Sequence, residues 1–381
     1  MGNGVRIALV HYTYLPVIAG VELVMGEHER LFRAAGHAVT VLAGLDEGAE
    51  DRLSSRAVEA LVERLRPIFA AQEVVILHNV LTMHFHLALT VAVWRLAAEL
   101  RQVRFIGWIH DLAACNPDYA PLPLDRAPWE VLAQAHPHVT YVAVSEWRAR
   151  QFLELTRQPA GRCRTIPNGV NPIQLLDLPP RAAALARGSR LFEREIVLLH
   201  PARLLRRKNV ELTLKVTAAL KAAGHSCACL ITAPPEVHHP ASVAYAAALQ
   251  EVRARLGLHQ DAFFLNDAAP LSARELQGMF RLADALFFPS RQEGFGIPLV
   301  EAAVHRLPVF CSDIAPLNSL LADGKTTFSP DAPPAEIAAL IVRVLDADSA
   351  FATRKQALRK YSWPAIHRNF LSPLLAETET P

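Results

Sequence analysis

The sequence of 381 residues has almost no excess charge, because its 39 lysines and arginines are nearly balanced by 37 aspartates and glutamates. A global positive field that would gather nucleic acid is therefore absent, and any anion site must be local. No apolar run approaches the roughly 18 residues of a membrane span. The N-terminal MGNGVRIALVHY also lacks the charged region and cleavage site of a signal peptide. We expect a cytoplasmic protein that has no nucleic acid partner.

Cysteine is scarce, and the few cysteines are scattered. An odd, dispersed set favours neither a disulfide framework nor a zinc site. We therefore predict buried, reduced thiols at all five positions: Cys115, Cys163, Cys227, Cys229 and Cys311.

One stretch is locally basic, although the chain as a whole is not. Its five arginines are Arg148, Arg150, Arg157, Arg162 and Arg164. Such a stretch can meet acidic lipid. Peripheral contact with the inner face of a membrane therefore stays open beside the alternative of a plain solvated surface.

The length exceeds what one hydrophobic core usually supports, so two domains are expected. Short apolar runs that end in polar residues alternate with helical patterns, which is typical of a parallel sheet covered by helices. The first series has runs at 5–12, 36–44, 73–79, 104–111 and 139–145, and the second at 196–203, 227–235, 262–267, 285–290 and 308–312.

A proline- and alanine-rich stretch, LPPRAAALARGSR, separates the two series and is interpreted as a linker. We predict an α/β protein of two doubly wound, Rossmann-like domains that face a central cleft. The first domain is expected at 1–178, the second at 190–360, and a C-terminal helix at 361–381 is expected to cross back to the first. Neither series has G-x-G-x-x-G after its first strand, which disfavours a dinucleotide cofactor bound in the usual way.

The segment HPARLLRRKN places Arg203 and Lys208 between a strand and the start of a helix. Cations at a helix N-terminus oppose the helix dipole unless an anion binds there. A guanidinium and an ammonium together can hold a diphosphate and neutralise the charge that builds on it as it leaves. We therefore favour a phosphate site over a solvated basic turn.

The segment PSRQEGFGIPLVEAA carries two glutamates around a glycine-rich turn, and we expect these to have separate roles. Glu293 and the backbone N–H groups of Gly294, Phe295 and Gly296 can hold a hexose. Glu301, expected about two turns into the following helix, can accept both hydroxyls of a ribose.

With these motifs the whole chain resembles glycosyltransferase family 4, the retaining nucleotide-sugar transferases of the GT-B fold. The resemblance implies that Arg203 and Lys208 bind the donor phosphates, Glu293 the donor sugar and Glu301 the ribose. It also implies that His110 in WIHDL contacts the donor sugar near its anomeric carbon. The first domain is accordingly expected to bind the acceptor and the second the nucleotide sugar.

Further positions match the family pattern or depart from it. Asn168-Gly169 matches the family's N-G-V turn, and the family's Gly-Gly donor loop after the first strand stands here as Ala19-Gly20. The glycine-rich turn after the second strand of the second domain is replaced by Thr232-Ala233-Pro234-Pro235. The cysteine-glycine that usually follows the E-A-A helix is replaced by His305-Arg306.

A metal site finds little support in the sequence. His84 and His86 begin a predicted helix with no third ligand nearby, and Asp346-Ala347-Asp348 ends a C-terminal helix rather than following a strand. His238-His239 falls in a proline-flanked loop. We expect no metal and no cofactor beyond the nucleotide sugar itself.

The sequence is therefore interpreted as a metal-independent, retaining hexosyltransferase. Mannose or glucose would pass from a nucleoside diphosphate sugar to an unidentified sugar, glycan or lipid-linked acceptor. Two alternatives remain, a nucleotide-sugar-binding protein without turnover and another enzyme of this fold such as a nucleotide-sugar epimerase.

Overall fold

The computed structural model describes residues 4–17, 19–44, 54–119, 121–232, 240–265 and 269–377. The chain divides into two compact units, here unit 1 (Met1–Gly169 with Trp363–Pro381) and unit 2 (Val170–Ser362). Each unit contains a six-stranded sheet in which the recorded strand pairs are parallel. The prediction of two Rossmann-like α/β domains is confirmed.

The sheet of unit 1 has the strand order β2-β1-β3-β4-β5-β6. Its strands are apolar on both faces because helices cover both sides. In the first strand, Ile7 and Leu9 pack into one core cluster, while Ala8 and Val10 pack into another. The strands are β1 (Arg6–His11), β2 (Ala38–Ala43), β3 (Val74–His78), β4 (Arg104–Ile109), β5 (Val139–Ala143) and β6 (Cys163–Thr165).

Four helices follow strands of this sheet in the pattern predicted from the sequence. The first buries an apolar stripe that includes Val24, Met25 and Phe32, together with His28. The helices are α1 (Gly20–Ala34), α2 (Ser55–Ala70), α3 (Leu87–Glu99) and α4 (Glu146–Thr156).

Unit 2 begins with two helices, and the second of them lies in the stretch interpreted as a linker, so that stretch is ordered structure. The alanines of the second helix, Ala182, Ala183 and Ala186, are buried in the core of unit 2. The helices are α5 (Pro172–Leu175) and α6 (Pro180–Gly188).

The sheet of unit 2 has the order β12-β11-β10-β7-β8-β9. Its strands are β7 (Ile196–His200), β8 (Cys227–Ile231), β9 (Ala262–Phe264), β10 (Ala285–Phe288), β11 (Val309–Ser312) and β12 (Thr327–Phe328). Its remaining helices are α7 (Val210–Ala222), α8 (Pro240–Arg255), α9 (Ala273–Leu282), α10 (Ile297–Val304), α11 (Pro334–Asp346) and α12 (Ser349–Lys360).

The C-terminal segment returns to unit 1. It contains α13 (Trp363–Ile366), a π-helical turn (His367–Leu371) and α14 (Ser372–Ala376). Trp363 lies against Gly169, where an added Cβ would come within 2.5 Å of the indole ring. The glycine of the N-G-V turn therefore leaves room for this tryptophan.

The cysteines and the basic stretch can now be compared with their predictions. All five cysteines are free, and four are buried while Cys115 is partly exposed. Three of the five arginines have internal partners, since Arg148 pairs with Asp111, Arg162 donates to the carbonyls of His136 and Pro137, and Arg164 pairs with Glu377. Within the described residues, none of the helices is both long and apolar enough to pass through a membrane.

Candidate functional site

The strand order of unit 2 reverses between β7 and β10, since β8 and β9 lie on one side of β7 and β10 to β12 on the other. Open parallel sheets bind ligands beyond the carboxyl ends of their strands at such a reversal. The loops that leave β7 and β10 carry the two segments that the sequence selected, HPARLLRRKN and PSRQEGFG. The topology therefore places these segments side by side.

Lys208 and Glu293 meet at this reversal, although 85 residues separate them in the chain. The Lys208 Nζ donates to Glu293 Oε1, and the two side chains are only 12% and 8% exposed. The same ammonium lies 5.2 Å from the centre of the Phe288 ring. Arg207 is a more distant partner, with its Nη1 3.9 Å from Glu293 Oε2. A cation and a carboxylate are thus held together in a largely buried position.

The loop after β7 positions the remaining cations. Arg203 is exposed in this loop, and Arg206–Lys208 form a 3-10 turn that leads into α7 through Asn209, whose φ is +55°. At the end of β7, the buried His200 has its Nδ1 2.7 Å from Thr213 Oγ1. Burial lowers the pKa of His200 to about 3, and the charge of Lys208 adds to this effect. His200 is therefore neutral beside the cations.

The glycine-rich turn before α10 needs glycine at one of its two positions. Gly296 has φ +105°, and a Cβ there would lie 2.6 Å from Leu317 Cδ2, whereas a Cβ on Gly294 would meet nothing within 4 Å. Phe295, between them, is 55% exposed. Glu301 is partly buried in α10 and lies four residues after Ile297, the first residue of that helix. It is therefore about one turn into the helix, not the two turns expected from the sequence.

Thr232 is buried directly after β8, and its N–H donates to the carbonyl of His200 at 3.4 Å. Three features predicted from the sequence lie outside the described residues: Ala233-Pro234-Pro235, His238-His239 and the last two residues of the apolar run 262–267.

Unit 1 has its own reversal of strand order, between β1 and β3. The end of β1 is tied to the end of β3, because His11 Nδ1 lies 2.8 Å from the carbonyl oxygen of His78. A cavity of about 560 Å³ opens at this point. The three unit 1 residues that the sequence selected, Gly20, His110 and Asn168, all line it. The structure therefore brings these three predicted residues to one cavity.

His110 is held from two directions. Asn79, with φ +61°, accepts through Oδ1 from the backbone N–H groups of His110 at 2.8 Å and Asp111 at 3.1 Å. The Nε2 atom of His110 lies 3.0 Å from His78 Nδ1. Burial lowers the pKa of His110 to about 3, and His11 lowers it further. His110 is therefore a neutral hydrogen-bonding group at neutral pH.

Glu22 is a cavity residue that the sequence interpretation missed. It lies in the first turn of α1 with its side chain 6% exposed, accepts from the Thr13 hydroxyl, and has Oε1 3.8 Å from His11 Nε2. The available signal was a carboxylate two residues after Gly20 on an otherwise apolar helix face. A buried carboxylate that lines a cavity is costly unless polar groups surround it.

Two candidate metal motifs have structural roles. His86 is the N-cap of α3, with its Nδ1 accepting from the N–H of Leu89 at 3.1 Å. Asp346 ends α11, and Asp348 caps α12. Across the part of the chain that the structure describes, no group of three or more His, Cys, Asp or Glu residues is arranged to hold a metal ion.

Two family models match the chain. The model described as Glycosyltransferase Family 4 matches residues 18–174, mostly in unit 1, and the model described as Glycosyl transferases group 1 matches residues 183–361 in unit 2. These matches define a glycosyltransferase made of two Rossmann-like domains. Together the two matches span most of the chain, which is therefore a family 4-like glycosyltransferase of the GT-B fold; this confirms the family and the fold of the resemblance inferred from its motifs.

Similarity to individual proteins is partial. The chain is 38% identical over 87 residues to the O-antigen chain mannosyltransferase RfbU of Salmonella typhimurium, covering 23% of this chain and 24% of that protein. It is 27% identical over 254 residues to a D-inositol 3-phosphate glycosyltransferase of Nocardia farcinica, covering 64% and 54%. The matches thus span only about a quarter and about half of these two relatives.

Among solved structures, a glycosyltransferase from Rickettsia africae ESF-5 shares 16% identity over 99% of this chain and 100% of that chain. The TM-score is 0.39, and a likeness of this strength carries no argument about function.

Proposed function

We propose that this protein is a retaining glycosyltransferase that moves a hexose from a nucleoside diphosphate sugar to an acceptor hydroxyl. The observation that carries the proposal is the largely buried Lys208–Glu293 pair at the strand-order reversal of unit 2. A donor with a diphosphate and a sugar offers a partner to each member, an anion for the ammonium and hydroxyls for the carboxylate.

Different residues of unit 2 bind the different groups of the donor. Arg203 and Lys208 bind the diphosphate, Glu293 and the backbone N–H groups of residues 294–296 hold the hexose, and Glu301 accepts from the ribose hydroxyls. Thr232, at the end of β8, is assigned to the same donor site. These cations stabilise the charge that develops on the leaving diphosphate, which is the step where fixed positive charge has its largest effect on the rate.

In unit 1, Gly20, His110 and Asn168 are the residues proposed to meet the donor. The neutral His110 offers a hydrogen bond to the sugar near the anomeric carbon. The acceptor oxygen attacks that carbon on the face from which the diphosphate leaves, and the departing diphosphate takes the acceptor proton. No side chain then needs to act as a nucleophile, and no metal ion is assigned a role.

The family matches support the reaction class. The Salmonella relative is named a mannosyltransferase, and the Nocardia relative is named a glycosyltransferase without a specified sugar. We therefore propose mannose or glucose as the transferred sugar. The same names suggest a glycan chain or a phosphorylated polyol as the class of acceptor.

The test is release of labelled hexose from UDP-, GDP- and ADP-sugars, with wild type compared to Lys208→Ala. Loss of one such cation should lower turnover by about 100-fold. The matched control is Lys215→Ala, since Lys215 lies on α7 and makes only a surface ion pair with Glu211 at 2.7 Å. We expect wild-type activity from the control.

Two outcomes would contradict the proposal. Binding of a nucleotide sugar without any sugar release or transfer would indicate a binding protein rather than a transferase. Complete loss of activity in chelator, restored by a divalent metal, would overturn the metal-independent mechanism.

A further inference from the structure

Part of the unit 1 cavity has no role in the proposed function. Gly20, His110 and Asn168 are assigned to the donor, whereas His11, Glu22 and Phe85 also line the cavity without an assignment. The cavity volume of about 560 Å³ is within the roughly 300–1,000 Å³ range of small-molecule sites. It therefore has room for a ligand beyond the groups assigned above.

The polar groups in this unassigned part are negative or neutral. Glu22 is a largely buried carboxylate, and no lysine or arginine is among the described residues that line the cavity. The pKa of His11 is lowered, mainly by burial, and the pKa of His110 falls to about 3, so neither imidazole supplies a positive charge at neutral pH. The nearby Arg148 is engaged by Asp111, with Nη2 and Oδ1 2.8 Å apart. A phosphate here would face an uncompensated carboxylate.

An aromatic ring lies beside these polar groups. Phe85 is 44% exposed although it lines the cavity, and it makes edge-to-face ring contacts with Tyr12 at 5.5 Å and Tyr119 at 6.0 Å between ring centres. These contacts, with a third from the ring of His84 at 5.1 Å, hold the Phe85 ring in place and leave part of it exposed. An immobilised aromatic face next to hydrogen-bond acceptors fits a ligand that is apolar on one face and rich in hydroxyls at its edge.

We infer that the His11, Glu22 and Phe85 part of this cavity binds the acceptor, and that the acceptor presents an uncharged pyranose ring rather than a phosphorylated group. Glu22 and His11 accept hydrogen bonds from ring hydroxyls, and Phe85 packs on the ring face. This inference rests on the proposed function, because it takes the bound pyranose to be the group that receives the sugar.

The experiment measures direct binding, so that it does not depend on turnover. Methyl α-D-mannopyranoside, methyl α-D-glucopyranoside and the 6-phosphate of each are titrated into the 381-residue chain, and binding is measured by saturation-transfer NMR with and without UDP or GDP. We expect at least one neutral glycoside to bind and its 6-phosphate to bind at least tenfold more weakly.

Three variants test the residues. Glu22→Gln keeps the shape of the side chain and should weaken binding of the neutral glycoside at least fivefold. It should also reduce the difference in affinity between the glycoside and its 6-phosphate. Glu27→Gln is the matched control on the same helix, because Glu27 pairs with Arg30 and does not line the cavity. Phe85→Ala should weaken binding of the glycosides and of their 6-phosphates by the same factor. It serves as the second variant if Glu22→Gln fails to fold.

The inference is overturned if the phosphate binds wild type as tightly as the neutral glycoside, if no glycoside binds, or if Glu22→Gln behaves like Glu27→Gln. Thermal shifts with UDP and GDP on the same samples separate this failure from that of the proposed function. Nucleotide binding without glycoside binding refutes the acceptor assignment alone, and glycoside binding without nucleotide binding refutes the donor assignment.

Discussion

The contact between Lys208 and Glu293 makes a prediction about nucleotide binding that neither residue would make alone. Before a diphosphate binds, the ammonium is engaged by the carboxylate in a position where both are about nine-tenths buried. A diphosphate must therefore share Lys208 with Glu293 or take it over. We expect Glu293→Gln to tighten binding of the bare nucleoside diphosphate, because the competing charge is removed.

The size of the effect follows from what remains in the variant. The glutamine carbonyl can still accept from Lys208, so only part of a charge-assisted hydrogen bond of about 1.5–3 kcal/mol is released. A gain of about 1 kcal/mol corresponds to about fivefold tighter binding. Transfer of the hexose should nonetheless fall by about 10- to 150-fold, because the proposed sugar contact is lost.

Lys208→Ala should act in the opposite direction on nucleotide binding. It removes the cation from the diphosphate and, among the described residues, leaves Arg207 as the ionic partner of Glu293, with its Nη1 3.9 Å from Glu293 Oε2. Removal of one partner from a buried ion pair costs about 3–5 kcal/mol of stability, and Arg207 should keep the cost near the lower end. The double variant Lys208→Ala with Glu293→Gln should recover part of that stability, because no unpaired charge remains.

The assay is calorimetric titration of UDP and GDP into the four proteins, with urea unfolding of each. The double variant should bind nucleotide no more weakly than Lys208→Ala alone. If Glu293→Gln instead weakens the bare diphosphate as strongly as Lys208→Ala does, the carboxylate helps to bind phosphate indirectly and the competition described here is wrong.

Three further predictions concern single positions. The pKa of the buried His28 is lowered to about 3 by burial, so the unfolded state binds more protons between about pH 3 and 6.5. This residue should therefore lower the free energy of unfolding by about 2 kcal/mol between pH 7 and 5. Urea unfolding of His28→Phe should show a smaller loss of stability over the same pH range. Gly296→Ala should destabilise the protein by about 1–3 kcal/mol in thermal unfolding, because its φ is +105° and its Cβ would reach Leu317, whereas Gly294→Ala should match wild type. Glu301→Gln should weaken the bare nucleoside diphosphate and the full donor about equally, by about 10-fold or more, and a loss confined to the full donor would contradict the ribose assignment.

His28, His78 and His110 form a row of neighbouring histidine rings in unit 1. His78 is fully buried, with Nδ1 3.0 Å from His110 and its ring 5.3 Å from that of His28. Both ring nitrogens of His28, and Nε2 of His78, have no hydrogen-bond partner. Charging any of them would place an uncompensated cation in the core, so the row is neutral where the protein is folded. The hydrogen bond between His78 and His110 is accordingly one between neutral rings.

The sequence by itself determined the features that arise from local patterns. Alternating apolar runs and amphipathic stretches specify strands and helices because each must bury a face, and a parallel α/β arrangement follows from their order. The short edge strands β6 and β12 escaped detection because three and two residues leave no readable period. The stretch 178–190 was interpreted as a linker because an alanine-rich helix has little apolar contrast, although three of its alanines, Ala182, Ala183 and Ala186, are buried in unit 2.

Only the tertiary structure decided which side chains meet. Lys208 and Glu293 are joined because β7 and β10 are neighbours in the sheet, and nothing local in either segment states that adjacency. His11, Glu22 and His110 share a cavity because the strand order of unit 1 reverses between β1 and β3. Glu22 in particular looks like an ordinary first-turn acid until the fold buries it. Residue types are encoded locally, whereas their contacts depend on strand order, which long-range packing selects.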